Sequence, residues 1–299
     1  MSVWPDFFIV GAPRSGTSSL YELLSRSDEI CMSKVKEPRF FSSAIDHSAF
    51  MSGSVTDEAA YLALFSHCAS GTTRGEASPN YLTDPGTPEL IAAKVPNAKI
   101  IAILRDPVTR AYSHYMFHEV RTGRTDRTFR EAIEECRQLL DTEMYHPRYL
   151  LHPGFYTRQL GRYIDTFGAG YVLILLHDDF VKDTAGEVTK VCDFLGVAVP
   201  DDLVLAQSDR NAAGSPRSTA ARILMKNKPL RWIVSKLGLG ARAVEVGKKY
   251  LLKPADKVEM NAADRNLLVS IYAEDVAALE QLIGRQVPWP IARGGTPGR

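Results

Sequence analysis

Phe7-Phe8-Ile9-Val10 is an unbroken apolar run that stops at Gly11, and a helical pattern starts soon after at Ser18-Ser19-Leu20-Tyr21-Glu22-Leu23-Leu24. A run that is apolar at every position has both faces buried, as in the interior of a parallel sheet. The chain repeats this pattern. Lys99-Ile100-Ile101-Ala102-Ile103-Leu104 predicts a second buried strand, and Pro107 beyond it suits the first turn of a helix carrying Arg110 to Glu119. Tyr171 to Leu176 predicts a third strand, followed by an amphipathic helix over Thr184 to Leu195 that Gly196 closes. Arg74 to Ala77 adds a short strand, and 128–140, 156–167 and 262–283 read as helices. Strands alternating with helices imply right-handed crossovers and a three-layer α/β/α fold with a central parallel sheet.

With 299 residues, 45% hydrophobic and 24% charged, the chain can bury a large core as a single domain, 1–299, without metals or cross-links. Its net charge of +1 gives no global attraction to nucleic acid, so anion binding must come from local clusters. Cys31, Cys68, Cys136 and Cys192 are widely and irregularly spaced, with no CxxC pair and no histidines at zinc-ligand spacing. They read as small hydrophobes in a reducing compartment. Met1 to Gly16 lacks the basic, then long apolar, pattern of a secretion signal, and no stretch approaches the roughly 20 apolar residues that span a bilayer. The expectation is a cytoplasmic protein.

Between the first strand and its helix lies Gly11-Ala12-Pro13-Arg14-Ser15-Gly16-Thr17-Ser18. It resembles a P-loop in which Thr17 replaces the usual lysine. Glycines let successive N–H groups turn inward on an anion, and the helix that follows adds its positive end. Ser15, Thr17 and Ser18 offer hydroxyls, and Arg14 supplies a cation from inside the loop. The strand at 99–104 ends in Arg105, not in a magnesium-binding acid. Both departures count against a P-loop kinase or hydrolase, which needs the lysine and magnesium.

A second basic constellation is Arg105-Asp106-Pro107-Val108-Thr109-Arg110-Ala111-Tyr112-Ser113. Arg105 leaves the C-terminal end of a buried strand, where open α/β sheets bind ligands. With Ser113 it offers a planar fork of donors and a hydroxyl to a second phosphate. Asp106 reads as a capping or ion-pair partner.

These two motifs together resemble those of sulfotransferases that use 3'-phosphoadenylyl sulfate (PAPS) and release PAP. The resemblance runs over about residues 5 to 220. It includes Lys36-Glu37-Pro38-Arg39-Phe40-Phe41, Glu76-Ala77-Ser78-Pro79-Asn80-Tyr81 and Gly154-Phe155-Tyr156-Thr157-Arg158-Gln159-Leu160, and it lies closer to the heparan-sulfate-type branch and its bacterial relatives. It implies that residues 11–18 bind the 5'-phosphosulfate and that Arg105 and Ser113 bind the 3'-phosphate. Arg14 would stabilise charge on the leaving phosphate, and Glu37 would act as general base. No metal would be required, because cations and amides take its place.

The resemblance also implies a PAPS-binding core (5–220), a helical C-terminal cap (221–292) and a flexible tail (293–299). Ala77 stands where heparan-type enzymes often carry a lysine. A late loop, Asp209 to Ser218, would close over the 3'-phosphate, with Arg217 ahead of Arg210 as the residue used. His114 and His118 lie one turn apart on the Ser113 helix, and 143–149 is a candidate border of the acceptor pocket. From Arg217 to Lys253, ten Lys/Arg stand against one acid, Glu245. That segment reads as a solvated cap, with a peripheral membrane or carrier-protein contact as the alternative. The acceptor is a small-molecule, saccharide, lipid or carrier-borne hydroxyl or amine. A non-catalytic nucleotide-binding module is the remaining reading; it would keep both phosphate sites and tolerate loss of Glu37.

Overall fold

The computed structural model describes residues 4–42, 54–117, 127–140, 150–199, 214–216, 252–254 and 260–293. Two compact units divide the chain: Met1–Leu205 together with Ala262–Arg299, and Ala206–Asn261. The first holds a sheet of five strands, β1 (Phe7–Gly11), β2 (Ile30–Met32), β3 (Thr73–Ala77), β4 (Lys99–Leu104) and β5 (Val172–Leu176), in the order β2-β3-β1-β4-β5. Every pairing is parallel. The second unit contains an antiparallel pair, β6 (Gly214–Pro216) and β7 (Leu252–Pro254).

The continuous apolar runs become the central strands. Phe7, Phe8, Ile9, Val10 and Ile100 to Leu104 are all 0% exposed. Burial of each large side chain is worth about 1.5–3 kcal/mol, so β1 and β4 anchor the core. α1 (Thr17–Leu24) follows β1, and α2 (Glu58–Ala63) and α3 (Thr87–Lys94) flank β3 in the chain. α4 (Pro107–Tyr115) and α5 (Phe129–Arg137) follow β4. α6 (Tyr156–Phe167) precedes β5, which leads into α7 (His177–Lys182), α8 (Thr184–Leu195) and finally α9 (Ala262–Ile283). α1 packs with α8, whereas α3, α6, α9 and α4 form a second connected group, so helices cover both faces of the sheet.

Local chemistry sets the helix ends. The Asp106 carboxylate accepts from the Val108 N–H and Pro107 opens α4. Thr128 and Glu131 form a capping box on α5. Gly196 closes α8 in the left-handed region at φ 79°. The helix predicted to open at Pro107 does so and runs to Tyr115. The third strand starts at Val172, because Ala169–Tyr171 forms a one-turn helix. β2, α2, α3 and α7 escape the sequence reading because each spans eight residues or fewer and shows little periodicity.

The reading of the cysteines needs correction. Cys31 and Cys68 form a disulfide with Cα atoms 5.6 Å apart, and the His67 ring lies 3.4 Å from Cys31 Sγ. Cys31 lies in β2, whereas Cys68 precedes β3. Parallel pairing of those strands closes a gap of 37 residues, which spacing alone does not reveal. Cys136 and Cys192 are free and buried, as expected. No helix among the described residues is long and apolar enough to cross a membrane.

Gly75 tests the packing between β1, β2 and β3. A Cβ there would lie 2.1 Å from Phe7 Cζ and 2.7 Å from Met32 Sδ. Gly75→Ala should therefore lose about 1–3 kcal/mol of stability through overpacking, read as a lower urea midpoint at unchanged slope. An unchanged midpoint would show that the sheet accommodates the methyl group.

Candidate active site

β1 and β4 are neighbours that point the same way, so their C-terminal ends share one edge of the sheet. From β1 the chain turns to β2 and β3 on one side, and β4 then pairs with β1 on the other side. Such a switch point opens a crevice between the two strand ends.

The glycine loop lies in that crevice. Ala12 N–H donates to the Ile103 carbonyl of β4 at 2.8 Å, and Ser15 N–H donates back to the Ala12 carbonyl at 3.2 Å. A Cβ on Gly11 would stand 2.5 Å from Leu82 Cβ, so only glycine lets the loop pass there. Gly16 has φ 100°, with the His177 ring against it. Arg14 also adopts a left-handed backbone, at φ 68°. α1 begins at Thr17 without a side-chain cap, so its first amides and the positive end of its dipole face the loop. Ser15 and Thr17 are buried, whereas Ser18 is exposed.

The second basic constellation meets the first. Arg105 Nη1 donates to the Arg14 carbonyl at 3.2 Å, and Arg105 Nε donates to Thr109 Oγ1 at 3.2 Å. Arg14 Nε donates to Ser113 Oγ at 3.4 Å, and its guanidinium lies 4.3 Å from the Phe117 ring centroid. Two motifs nearly a hundred residues apart thus form one cationic place. Asp106 serves as the α4 cap.

Two further residues belong to the site and were not singled out from the sequence. Tyr156, buried at the start of α6, donates its hydroxyl to the Arg105 carbonyl at 2.7 Å. His177 follows β5 directly and touches Gly16. Burial, reinforced by the Arg105 charge, holds its imidazole below the usual range, so it is neutral at pH 7. A strand-end position next to a glycine loop was the available signal for His177; the Gly154–Leu160 segment was the signal for Tyr156.

Glu37 lies in the loop after β2, with its N–H donating to the Ala77 carbonyl at the end of β3, 3.0 Å away. Lys36 Nζ and Arg39 Nη2 contact its carboxylate at 2.6 and 2.5 Å. Burial pushes the Glu37 carboxyl up, but the two cations outweigh it and hold it below the ordinary carboxylate value. Glu37 is therefore ionised at neutral pH and can accept a proton. Ala77 is fully buried, and His114 is buried in α4. His118, residues 143–149, Arg210 and Arg217 lie outside the described residues, as does nearly all of 217–253.

A glycine-rich anion loop, an Arg/Ser pair at the adjoining strand end and a parallel sheet define a nucleotide-phosphate-binding α/β protein. The family model described as a sulfotransferase domain matches residues 4–229. The chain therefore belongs to the sulfotransferase family. It is 28% identical over 194 residues to heparan sulfate glucosamine 3-O-sulfotransferase 6 of Mus musculus, covering 65% of this chain and 53% of that protein. It is 25% identical over 284 residues to human carbohydrate sulfotransferase 15, covering 77% and 50% respectively. The chain spans about half the length of these curated relatives. Among solved structures, a sulfotransferase from Alicyclobacillus acidocaldarius matches with a TM-score of 0.69 at 30% identity, covering 95% of this chain and 97% of that one.

The Glu37 ion pairs carry a pH signature. A carboxyl whose folded pKa is depressed contributes stability above its unfolded value, here 4.5, and loses it as pH falls through the folded pKa. The stability difference between the wild type and Glu37→Gln should be constant above pH 4.5 and shrink below it, in urea titrations at several pH values. A difference independent of pH would show that the ion pairs contribute nothing.

Proposed function

We propose that the protein transfers a sulfuryl group from PAPS to an acceptor hydroxyl or amine, and that Arg14, Glu37, Arg105 and Ser113 carry the reaction. The observation that supports this most is the contact of Arg14 with both Arg105 and Ser113. A donor with a 5'-phosphosulfate and a 3'-phosphate needs two anion sites at a fixed separation. Here the loop that would hold one is bonded to the residues that would hold the other. The amides of 11–18 and the hydroxyls of Ser15, Thr17 and Ser18 would hold the phosphosulfate. Arg105 and Ser113 would hold the 3'-phosphate, with Arg217 joining from the late loop.

In this reading the acceptor oxygen attacks sulfur, its proton passes to the Glu37 carboxylate, and the bond between sulfur and the bridging phosphate oxygen breaks. Arg14, permanently protonated, stabilises the negative charge that develops on the departing phosphate. The loop carries Thr17 where a nucleoside-triphosphate enzyme has lysine, and β4 leads into an arginine. Charge neutralisation is accordingly assigned to arginines and amides, and turnover should be insensitive to chelators. The relatives named for heparan sulfate glucosamine and for carbohydrate favour a saccharide acceptor. Lipid and carrier-borne hydroxyls complete the panel, and the basic segment 217–253 is read as a solvated cap, with contact to such a carrier or membrane surface as the alternative.

Calorimetric titration with PAP in excess chelator tests the donor assignment. Binding should persist without metal and be lost in Arg105→Ala, while magnesium–ATP binds weakly. Preferential binding of magnesium–ATP would replace this reading with a kinase. Arg14→Ala should lower kcat about 100- to 1,000-fold, as loss of a transition-state donor does, and change PAP affinity only a few-fold. If Arg14→Ala weakened only binding, its role at the leaving group would be wrong.

A further inference from the structure

β3 contains an acid that neither the donor site nor the base assignment uses. Glu76 is 0% exposed in the interior of the sheet. An ionisable group is rarely left there unless its interactions do something an apolar residue cannot. Its carboxylate accepts from the Ser78 hydroxyl at 2.6 Å and from the Tyr61 hydroxyl, with the Tyr81 hydroxyl beside them.

Two of these hydroxyls also act as acceptors. Ser78 Oγ accepts the Arg39 N–H at 3.1 Å, and the Tyr81 hydroxyl oxygen accepts the Phe41 N–H at 3.0 Å. A hydroxyl has one proton, so donating it to Glu76 turns its lone pairs toward the backbone amide. The third alternate amide of the segment, Glu37 N–H, bonds the Ala77 carbonyl. The amides of 37, 39 and 41 are thus all held by the end of β3 and its continuation, and the hold on Arg39 runs through Ser78 to Glu76.

The held segment is one that needs holding. Glu37 and Arg39 lie at φ 61° and 56°, on either side of Pro38. Left-handed conformations cost a non-glycine residue of order 1–2 kcal/mol each and persist only where the surroundings over-determine them. Arg39 is also the residue whose guanidinium contacts the Glu37 carboxylate.

We propose that Glu76 is a positioning residue for Glu37. By orienting the Ser78 hydroxyl, it locks the left-handed Glu37-Pro38-Arg39 turn and so fixes where the base carboxylate points. The effect on turnover rests on the sulfotransferase reading, whereas the lock itself does not. Burial pushes the Glu76 carboxyl up to about 7, against the pull of its hydroxyl donors, which is consistent with an acid kept in place for its hydrogen bonds. Glutamine keeps the shape but replaces a charge-assisted acceptor with a neutral one and offers an N–H₂ on one side, so the Ser78 hydroxyl is held less firmly or turned round, and the hold on the Arg39 amide loosens either way.

The test compares wild type, Glu76→Gln and Ser78→Ala in three measurements: amide exchange at Arg39 and Phe41 by NMR, PAP affinity by calorimetry, and sulfate transfer from labelled PAPS to a heparan sulfate oligosaccharide. Both variants should speed exchange at Arg39 by at least about tenfold, with the Phe41 amide as the internal reference. Both should lower kcat about 10- to 100-fold, as misplacement of a reacting group does, with acceptor KM and PAP affinity changed less than about twofold. Unchanged exchange in either variant, or faster exchange at unchanged kcat, would overturn the proposal. If Glu76→Gln fails to fold, as loss of PAP binding would reveal, Ser78→Ala decides alone. A wild type that neither binds PAP nor transfers sulfate would sink the sulfotransferase reading instead, and the exchange arm would still decide whether Glu76 holds the turn.

Discussion

The parallel pairing of β1 with β4 is the constraint on which the rest of the site depends. It brings the ends of two fully buried strands to one edge and leaves a crevice where the chain changes direction across the sheet. One backbone bond, Ala12 N–H to the Ile103 carbonyl, then ties the glycine loop to β4. Arg105 continues from β4 and reaches the Arg14 carbonyl, so the cation that ends one strand buttresses the loop that ends the other. A loop with three residues at unusual demands (Gly11 beneath Leu82, Gly16 beside His177 and a left-handed Arg14) keeps its shape because it is bonded on two sides.

The electrostatics of Glu37 are a compromise between charge and basicity. Lys36 and Arg39 keep it ionised despite burial, which guarantees a carboxylate at neutral pH. The same cations reduce its appetite for a proton, since the ion pairs favour the charged form. Under the assignment of Glu37 as base proposed above, a carboxylate so paired would become effective only when an incoming group draws one of the cations away or shares it. An anionic acceptor would do that to Lys36 or Arg39 on arrival, raising the basicity of Glu37 as the acceptor docks. Productive binding and activation of the base would then be a single event.

Much of this was legible in the sequence because the signals were local. Unbroken apolar runs marked the two fully buried strands β1 and β4 and the edge strand β5, and caps and periodicity marked α8 and α9, the latter with its bounds of 262 and 283. The glycine loop after β1 and the arginine at the end of β4 were readable because glycine spacing and strand-end position have direct physical meaning. What was not legible depends on distant pairing. The contact of Arg14 with Ser113 joins residues 99 apart, and the disulfide closes 37 residues through the β2–β3 register. Tyr156 and His177 come to the site from separate elements. Glu76 carried no recognisable role, because an acid in a short strand does not show from its neighbours that it will be buried.

The far C-terminal helix is tied into this arrangement through the start of α6. α6 begins at Tyr156 without a side-chain cap of its own. Asp275 of α9 supplies one from another part of the chain, accepting from the Tyr156 and Thr157 amides at 2.8 and 3.3 Å. A carboxylate there satisfies orphan donors and opposes the positive end of the helix dipole. One turn earlier in α9, the Tyr272 hydroxyl donates to the Leu151 carbonyl at 2.8 Å, with its ring packed where a Cβ on Gly154 would stand. These contacts fix the start of α6, and the first side chain of α6 is Tyr156, whose hydroxyl holds the Arg105 carbonyl. The line from α9 through the Asp275 cap and Tyr156 to Arg105 ties residues 262–283 to the place where Arg105 meets Arg14. The glycine-loop and strand-end motifs are therefore held in register by a segment that shares no motif with them.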